Sequence, residues 1–427
     1  MQKLIINHFG PIEYCEIDVD DFLVLTGPQA SGKSTVAKSI FYFNHLKDIL
    51  FQYIVKQHNK RALFTIQSFK KAFLNEIRNA FVQSFGEGAG DVSSLLEYTY
   101  DNGRNIRIKF KRLEYGEMYV EPIIDDKLSR MLSDVEDKIT GGSISDINDI
   151  KNIVCDAFGS DMEVVYIPAG RSLLTLLSTQ IGYLYSVMDD RQKRSMDYCT
   201  QNYLERVLKI KPYFDRAPGQ LLSRELNKDN GIIDEATMIM VIQKMYEILK
   251  GEYKNSDGEE LLRVADNELI KLNYASSGQQ EAVWITNMLF YYMLGNKKTY
   301  FIIEEPESHL FPEAQKSVTE LISLAKNDKN KVLITTHSPY VLGSINNLLY
   351  AKKISDSADR EKIEEIVPYH MWLSYESVGA YYLEDGKLKD IFDTEYQDID
   401  HGVIDGVSSI INDDYEKLVS LKPDLEG

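Results

Sequence analysis

The sequence has little cysteine, little tryptophan and a deficit of positive charge. Three cysteines, Cys15, Cys155 and Cys199, stand far apart in 427 residues. An odd number at such spacing argues against a disulfide framework or a cysteine-based metal site and fits reduced thiols in a cytoplasm. No apolar run approaches the ~20 residues of a membrane helix, so no membrane partner is expected. The opening Met1-Gln2-Lys3-Leu4-Ile5-Ile6 goes straight into a strand pattern, without the layout of a signal peptide. Lysine and arginine number 48 against 66 aspartates and glutamates, a net charge of −18. That argues against a protein that coats nucleic acid with its whole surface, but not against a local basic groove. Repeats and low-complexity linkers are absent. The length exceeds one compact core and implies two or three lobes.

What is present begins at residue 27. Gly27-Pro28-Gln29-Ala30-Ser31-Gly32-Lys33-Ser34 reads G-x-x-x-x-G-K-S, the phosphate-cradling P-loop. Phe22–Thr26 before it is an apolar strand, and Thr35, Val36, Ala37, Ile40 and Phe41 after it have helical spacing. Gly27 and Gly32 allow the tight turn that aims backbone N–H groups at phosphate oxygens, and the new helix adds its positive end. Lys33 is a point charge for the β- and γ-phosphates, and Ser34 a ligand for Mg²⁺.

Three further segments carry chemistry. Tyr300–Ile303 is a buried strand that ends in Glu304-Glu305-Pro306-Glu307. Adjacent strand residues point opposite ways, so Glu304 and Glu305 have different tasks: one holds Mg²⁺ or its water, the other faces an attacking water as general base. Val332–Ile334 is followed by Thr335-Thr336-His337-Ser338-Pro339, which puts a histidine just past a core strand, within reach of a γ-phosphate. Ala275-Ser276-Ser277-Gly278-Gln279-Gln280-Glu281 precedes a helix. Ser276 is its N-cap, and the segment is either a plain cap or a second anion-binding helix end.

In this order the four motifs resemble the ATP-binding cassette ATPases, and more closely the SMC/RecF/OLD-like branch than transporter cassettes. Leu4–Ile12 leading to the P-loop and Glu304-Glu305-Pro306-Glu307-Ser308-His309-Leu310-Phe311-Pro312 carry that likeness. It covers residues 1–40 and 270–345. It implies an α/β fold: a P-loop NTPase of ABC type, with a mixed sheet core, an antiparallel β subdomain and a helical insertion. It implies ATP and Mg²⁺ as ligands and Glu305, His337 and Lys33 as catalytic residues. The nucleotide would be held by residues 27–35, Thr35 included. Mg²⁺ would be held by Ser34, Glu304 and a glutamine, with Gln83 the first choice and Gln67 the second, unless these are ordinary surface glutamines. Ser276, Ser277, Gly278 and Gln279 would form the signature that caps the γ-phosphate of a second copy, and Ser308-His309 the loop between subunits. Arg171, in Tyr166-Ile167-Pro168-Ala169-Gly170-Arg171, is similar to the Y-I-P-x-x-R of OLD-like ATPases; it contacts phosphate or partner, or forms a structural salt bridge. Three departures stand out: Glu304 where an aspartate is usual, Gln29-Ala30 where Asn-Gly is usual, and Ser277 where glycine is usual.

The domain reading follows. Residues 1–170 form lobe I, with a hairpin at Asp101-Asn102-Gly103. Residues 171–265 form a helical insertion, 266–350 lobe II, and 351–427 an acidic α/β extension with about 19 acidic and about 8 basic residues. Asp385-Gly386 reads as a hairpin turn, not as a nuclease carboxylate site. Arg107, Lys109 and Lys111 line one strand face, which is either solvated or a nucleic-acid contact. The resemblance to compact OLD-like ATPases of PARIS and Septu type implies a homodimer or larger homo-oligomer in bacterial anti-phage defence, acting with a separate nuclease or toxin effector. The alternatives are a RecF/SMC-type repair ATPase, a nearly non-hydrolysing scaffold holding a toxin or nuclease, and, least favoured, a transporter cassette.

Overall fold

Four strands are apolar at nearly every position, so they demand cover on both faces. In the computed structural model they lie side by side at one end of an eleven-stranded sheet. The structure describes residues 2–59, 69–140, 146–176, 187–189, 196–228, 233–256, 258–264, 268–327, 329–404, 406, 412–413 and 416–417.

The chain opens with β1 (Gln2–Phe9), β2 (Ile12–Val19) and β3 (Phe22–Thr26), then α1 (Lys33–Asn59) and α2 (Phe69–Phe85). β4 (Gly90–Thr99), β5 (Asn105–Arg112) and β6 (Met118–Ile124) lead to α3 (Asp126–Thr140) and α4 (Ile147–Phe158). Next come β7 (Glu163–Ile167), α5 (Arg171–Leu176), α6 (Tyr198–Ile210), α7 (Pro218–Leu226) and α8 (Glu235–Leu249). Three short strands follow, β8 (Glu252–Ser256), β9 (Glu259–Arg263) and β10 (Leu269–Lys271). The remainder includes α9 (Ser277–Leu294), β11 (Thr299–Glu304), α10 (Pro312–Ala325), β12 (Lys331–Thr336) and α11 (Pro339–Ile354). The hairpin β13 (Val378–Glu384) and β14 (Lys387–Asp390) comes after these.

The sheet order is β6-β5-β4-β1-β2-β14-β13-β3-β12-β11-β7. From β13 to β7 all neighbours are parallel; from β2 to β6 all are antiparallel. Alternate residues of the parallel strands feed two cores. Phe22, Val24, Phe301, Ile303, Val332 and Ile334 pack with α9, α10 and α11 on one face. Leu23, Leu25, Tyr300, Ile302 and Leu333 pack with α1 on the other. All eleven are at most 1 % exposed, and each such burial stabilises the fold by ~1.5–3 kcal/mol. The expected mixed α/β sheet with its antiparallel wing is present.

Two local readings differ from the structure. Helix was expected as far as Val264, yet β8 and β9 pair antiparallel, with Tyr253 opposite Leu262. The alternation there spans only five residues per strand and was hidden among lysines and glutamates. The second concerns the acidic extension. Its strand β13 enters the central sheet beside β3, with Ala380 opposite Val24, because Val378, Ala380 and Leu383 are apolar and buried. The Asp385-Gly386 turn forms as expected, and the Gly386 carbonyl accepts N–H bonds from Glu13 and Tyr14.

The basic row on β5 is not a bare stripe. Arg107 pairs across the sheet with Glu97, Lys109 with Glu121, and Lys111 forms an ion pair with Glu121. The wing therefore presents alternating charge.

Candidate functional site

The carboxyl ends of β3, β12 and β11 lie in sequence across the sheet, and each ends in one of the motifs. The loop after β3 turns through three positive φ angles, at Gly27 (138°), Ala30 (60°) and Gly32 (108°). Ala30 holds the left-handed conformation where the resembled family usually has glycine, at a cost of roughly 1–2 kcal/mol. Gly27 cannot be replaced. A Cβ there would stand 2.2 Å from the Leu383 carbonyl oxygen of β13, besides the backbone strain. Gly27→Ala is expected to cost roughly 1–3 kcal/mol of stability from strain at that φ alone, read by chemical denaturation, and to abolish binding of a fluorescent ATP analogue. Binding within twofold of wild type would contradict this.

Lys33 begins α1 and is 5 % exposed. Its ammonium donates to the carbonyls of Gly27 (2.9 Å) and Pro28 (2.7 Å). Burial pushes it down to about 8, while the carboxylates of Glu305, Glu307 and Glu304 pull the other way. Those three glutamates therefore face the P-loop electrostatically. Pro28, Gln29 and Ser34 are exposed and Thr35 half-buried, which leaves the first turn of α1 open to an anion.

Glu304 and Glu305 diverge as the strand geometry requires. Glu304 is 5 % exposed; one carboxylate oxygen accepts the Ala169 N–H at 3.3 Å. Its other oxygen, Oε1, is buried without a hydrogen-bond partner. Glu305 lies just past β11 with φ +42°, a strained backbone of the kind found at functional sites. Its N–H bonds to the Thr335 carbonyl of β12 at 2.9 Å. Its carboxylate lies 3.4 Å from His337 Nε2 and accepts the Ser308 hydroxyl at 3.2 Å. Both side chains are about one-third exposed, which leaves them reachable by substrate and water.

Glu307, which the motif contains but to which sequence reasoning assigned no task, holds the histidine turn. Its Oε1 accepts from the Thr336 hydroxyl (2.7 Å) and the His337 N–H (2.8 Å). Burial raises its pKa above the usual carboxylate range. The signal was available in the sequence, since a second carboxylate two residues past Glu305 follows a strand whose neighbour ends in Thr-Thr-His.

Arg171 is a correction. The guanidinium is 0 % exposed, and its N–H groups are spent on four carbonyls: Pro168 and Glu304 at 2.6 Å, Glu305 at 3.0 Å and Glu281 at 3.1 Å. The Glu281 carboxylate, 1 % exposed, pairs with it at 3.3 Å and caps the Arg171 and Ser172 N–H groups. Arg171 thus clamps the backbone that carries Glu304 and Glu305, as the structural alternative requires.

Gln83 is a second correction. Its amide donates to Gln201 Oε1 (2.7 Å) and the Met196 carbonyl (3.3 Å), which ties α2 to α6 and does not join Ser34 and Glu304. Gln67 lies outside the described residues. Gln279 is a third. It completes a capping box with Ser276, and its amide donates to the Leu249 carbonyl at 2.7 Å, so it braces the helix. What α9 offers outward is the exposed Ser277 and the Ser277 and Gly278 N–H groups, which the capping box leaves free. Gly278 is buried because the His309 carbonyl passes 2.7 Å from where a Cβ would stand.

The donors fit Mg²⁺. Glu304 Oε1 is an orphaned buried acceptor and Ser34 an exposed hydroxyl. Among the described residues no group of three or more His, Cys, Asp or Glu could hold a metal; Mg²⁺ needs few protein ligands because it keeps waters and phosphate oxygens. When bound it would neutralise developing phosphate charge.

No curated protein matches this chain. Solved structures similar to it include an SMC head bound to the C-terminal winged-helix domain of ScpA, at 11% identity and TM-score 0.40 over 91% of this chain and 96% of that one. The SMC head domain from Thermotoga maritima is 12% identical, with TM-score 0.36 over 91% of this chain and 97% of that one. The Smc head from Pyrococcus furiosus, with an extended coiled coil and bound to the C-terminal domain of ScpA, is 13% identical, with TM-score 0.35 over 96% of this chain and all of that one. No helix among the described residues is long and apolar enough to cross a membrane. Residues 178–342 match the family described as an AAA ATPase domain, a stretch that holds Ser276–Gly278, Glu304, Glu305 and His337, with the P-loop lying ahead of it.

Proposed function

We propose that this chain hydrolyses ATP and that two copies close face to face over shared nucleotide. The observation that carries the reading is Glu305: a strained, half-buried carboxylate held by Ser308 and His337 at the end of β11, with Lys33 in its field. Glu305 takes the proton of an attacking water. Lys33 and the N–H groups of the P-loop hold the phosphates, and His337 registers the γ-phosphate through its contact with Glu305. The outward first turn of α9 supplies the facing copy with N–H donors for the same phosphate. A two-fold axis then makes both pockets composite.

The closing motion serves a separate effector protein, a nuclease or toxin, in a bacterial anti-phage setting. The Tyr166–Arg171 segment, similar to that of OLD-like ATPases, favours that setting over genome maintenance. Ser277→Arg and Lys33→Ala proteins are each expected to be inactive. Mixed in equal amounts they regain about a quarter of wild-type hydrolysis, since half the dimers are mixed and each of those has one intact pocket. No recovery in the mixture, measured as phosphate release, would sink the composite-pocket reading. Wild-type protein as slow as Glu305→Gln would favour a nucleotide-gated scaffold instead.

A further inference from the structure

A second concavity opens at the opposite pole of the sheet. The P-loop, Glu305 and His337 lie at the carboxyl ends of the parallel strands; this cleft lies at the amino ends of β7 and β11, around Met162, Glu163 and Lys297. Its volume is about 480 Å³, inside the ~300–1,000 Å³ typical of small-molecule sites. One wall is α1, where Lys47 lies ~21 Å of helix from Lys33.

The lining of this cleft is rich in basic side chains. In a chain of net charge −18, five basic side chains line this cleft against four carboxylates. The carboxylates are occupied. Glu163 pairs with Arg206 and accepts the Tyr292 hydroxyl at 2.9 Å, Asp161 pairs with Lys298 at 2.7 Å, Asp48 with His45 at 2.8 Å, and Glu205 takes a bond from Gln201. Lys47 is 7 % exposed and bonded to the Met162 carbonyl. Lys151 and Lys209 are exposed and have no partner among the described residues. Phe51, Val154 and Ile210 line the same cleft and give it apolar surface. Two unpaired ammonium groups and apolar side chains in one cleft match a ligand with an anionic end and an apolar body.

We propose that this cleft binds a small organic phosphate of nucleoside-monophosphate size, its phosphate on Lys151 and Lys209 and its planar body on Phe51, Val154 and Ile210. The site is independent of the nucleotide pocket and stands whether or not the chain hydrolyses ATP.

The test is a fluorescence titration of the full chain with 1-naphthyl phosphate. Saturable binding is expected. Lys151→Glu/Lys209→Glu and, separately, Cys155→Trp, which fills the cleft from α4, should each raise Kd at least ~10-fold without changing the melting temperature. Lys33→Ala should leave Kd within twofold, and inorganic phosphate should compete only weakly. Absence of saturable binding, a Kd that neither cleft variant moves, loss of binding in Lys33→Ala, or inorganic phosphate competing as well as the probe itself would each overturn the proposal.

Discussion

Glu305→Gln is expected to lower kcat for ATP hydrolysis by about 10²–10⁴-fold while ATP binding stays within a few fold. Glutamine has nearly the same volume and can still accept the Ser308 hydroxyl, which sits 3.2 Å from the carboxylate. It cannot take a proton from water. The backbone N–H bond to Thr335 and the Arg171 bond to the Glu305 carbonyl do not involve the side chain, so the strand end keeps its shape. Glu304→Gln is the matched control. Its Oε1 is the buried orphan acceptor, so that variant should weaken Mg²⁺-dependent nucleotide binding, not the chemical step alone. Phosphate release and equilibrium dialysis on both variants separate the two roles. If Glu304→Gln loses turnover with binding intact and Glu305→Gln does not, the assignments are reversed.

How much of this was legible in the sequence depends on the range of the contacts. The P-loop, the Glu304-Glu305 strand end and His337 are each written within about ten residues. Strand periodicity fixes where such side chains emerge, and the parallel arrangement then brings the three strand ends together. The divergence of Glu304 and Glu305 was predictable for the same reason. Arg171 stayed open between a phosphate contact and a structural salt bridge because its partners, Glu281, Glu304 and Glu305, lie more than a hundred residues away, and a single arginine after Ile-Pro-Ala-Gly looks the same whether it faces solvent or a buried carbonyl cage. Gln83 failed likewise: its amide meets Gln201 across two helices. The place of β13 in the central sheet was hidden by composition, since the acid-rich tail reads as solvated, yet three apolar residues suffice to fill a slot beside β3. That slot matters for the site, because Leu383 is the residue that leaves no room for a side chain at Gly27.

Arg171→Met is expected to destabilise the fold by about 3–5 kcal/mol, the usual cost of removing one partner from a buried ion pair. Methionine fills much of the volume, so little of the loss comes from a cavity. What remains is Glu281, 1 % exposed, with two N–H bonds but no cation, and the Glu304, Glu305 and Pro168 carbonyls without the donors that hold them. The backbone under the catalytic carboxylate then loosens, so activity should fall more than the folded fraction does. Arg171→Met/Glu281→Gln separates the two effects. Neutralising Glu281 removes the uncompensated charge and should restore part of the stability in urea unfolding. It cannot replace the bonds to the Glu304 and Glu305 carbonyls, so hydrolysis should stay low. If Arg171 instead contacted phosphate directly, Arg171→Met would leave the unfolding midpoint nearly unchanged and weaken ATP binding, the opposite pattern in both measurements.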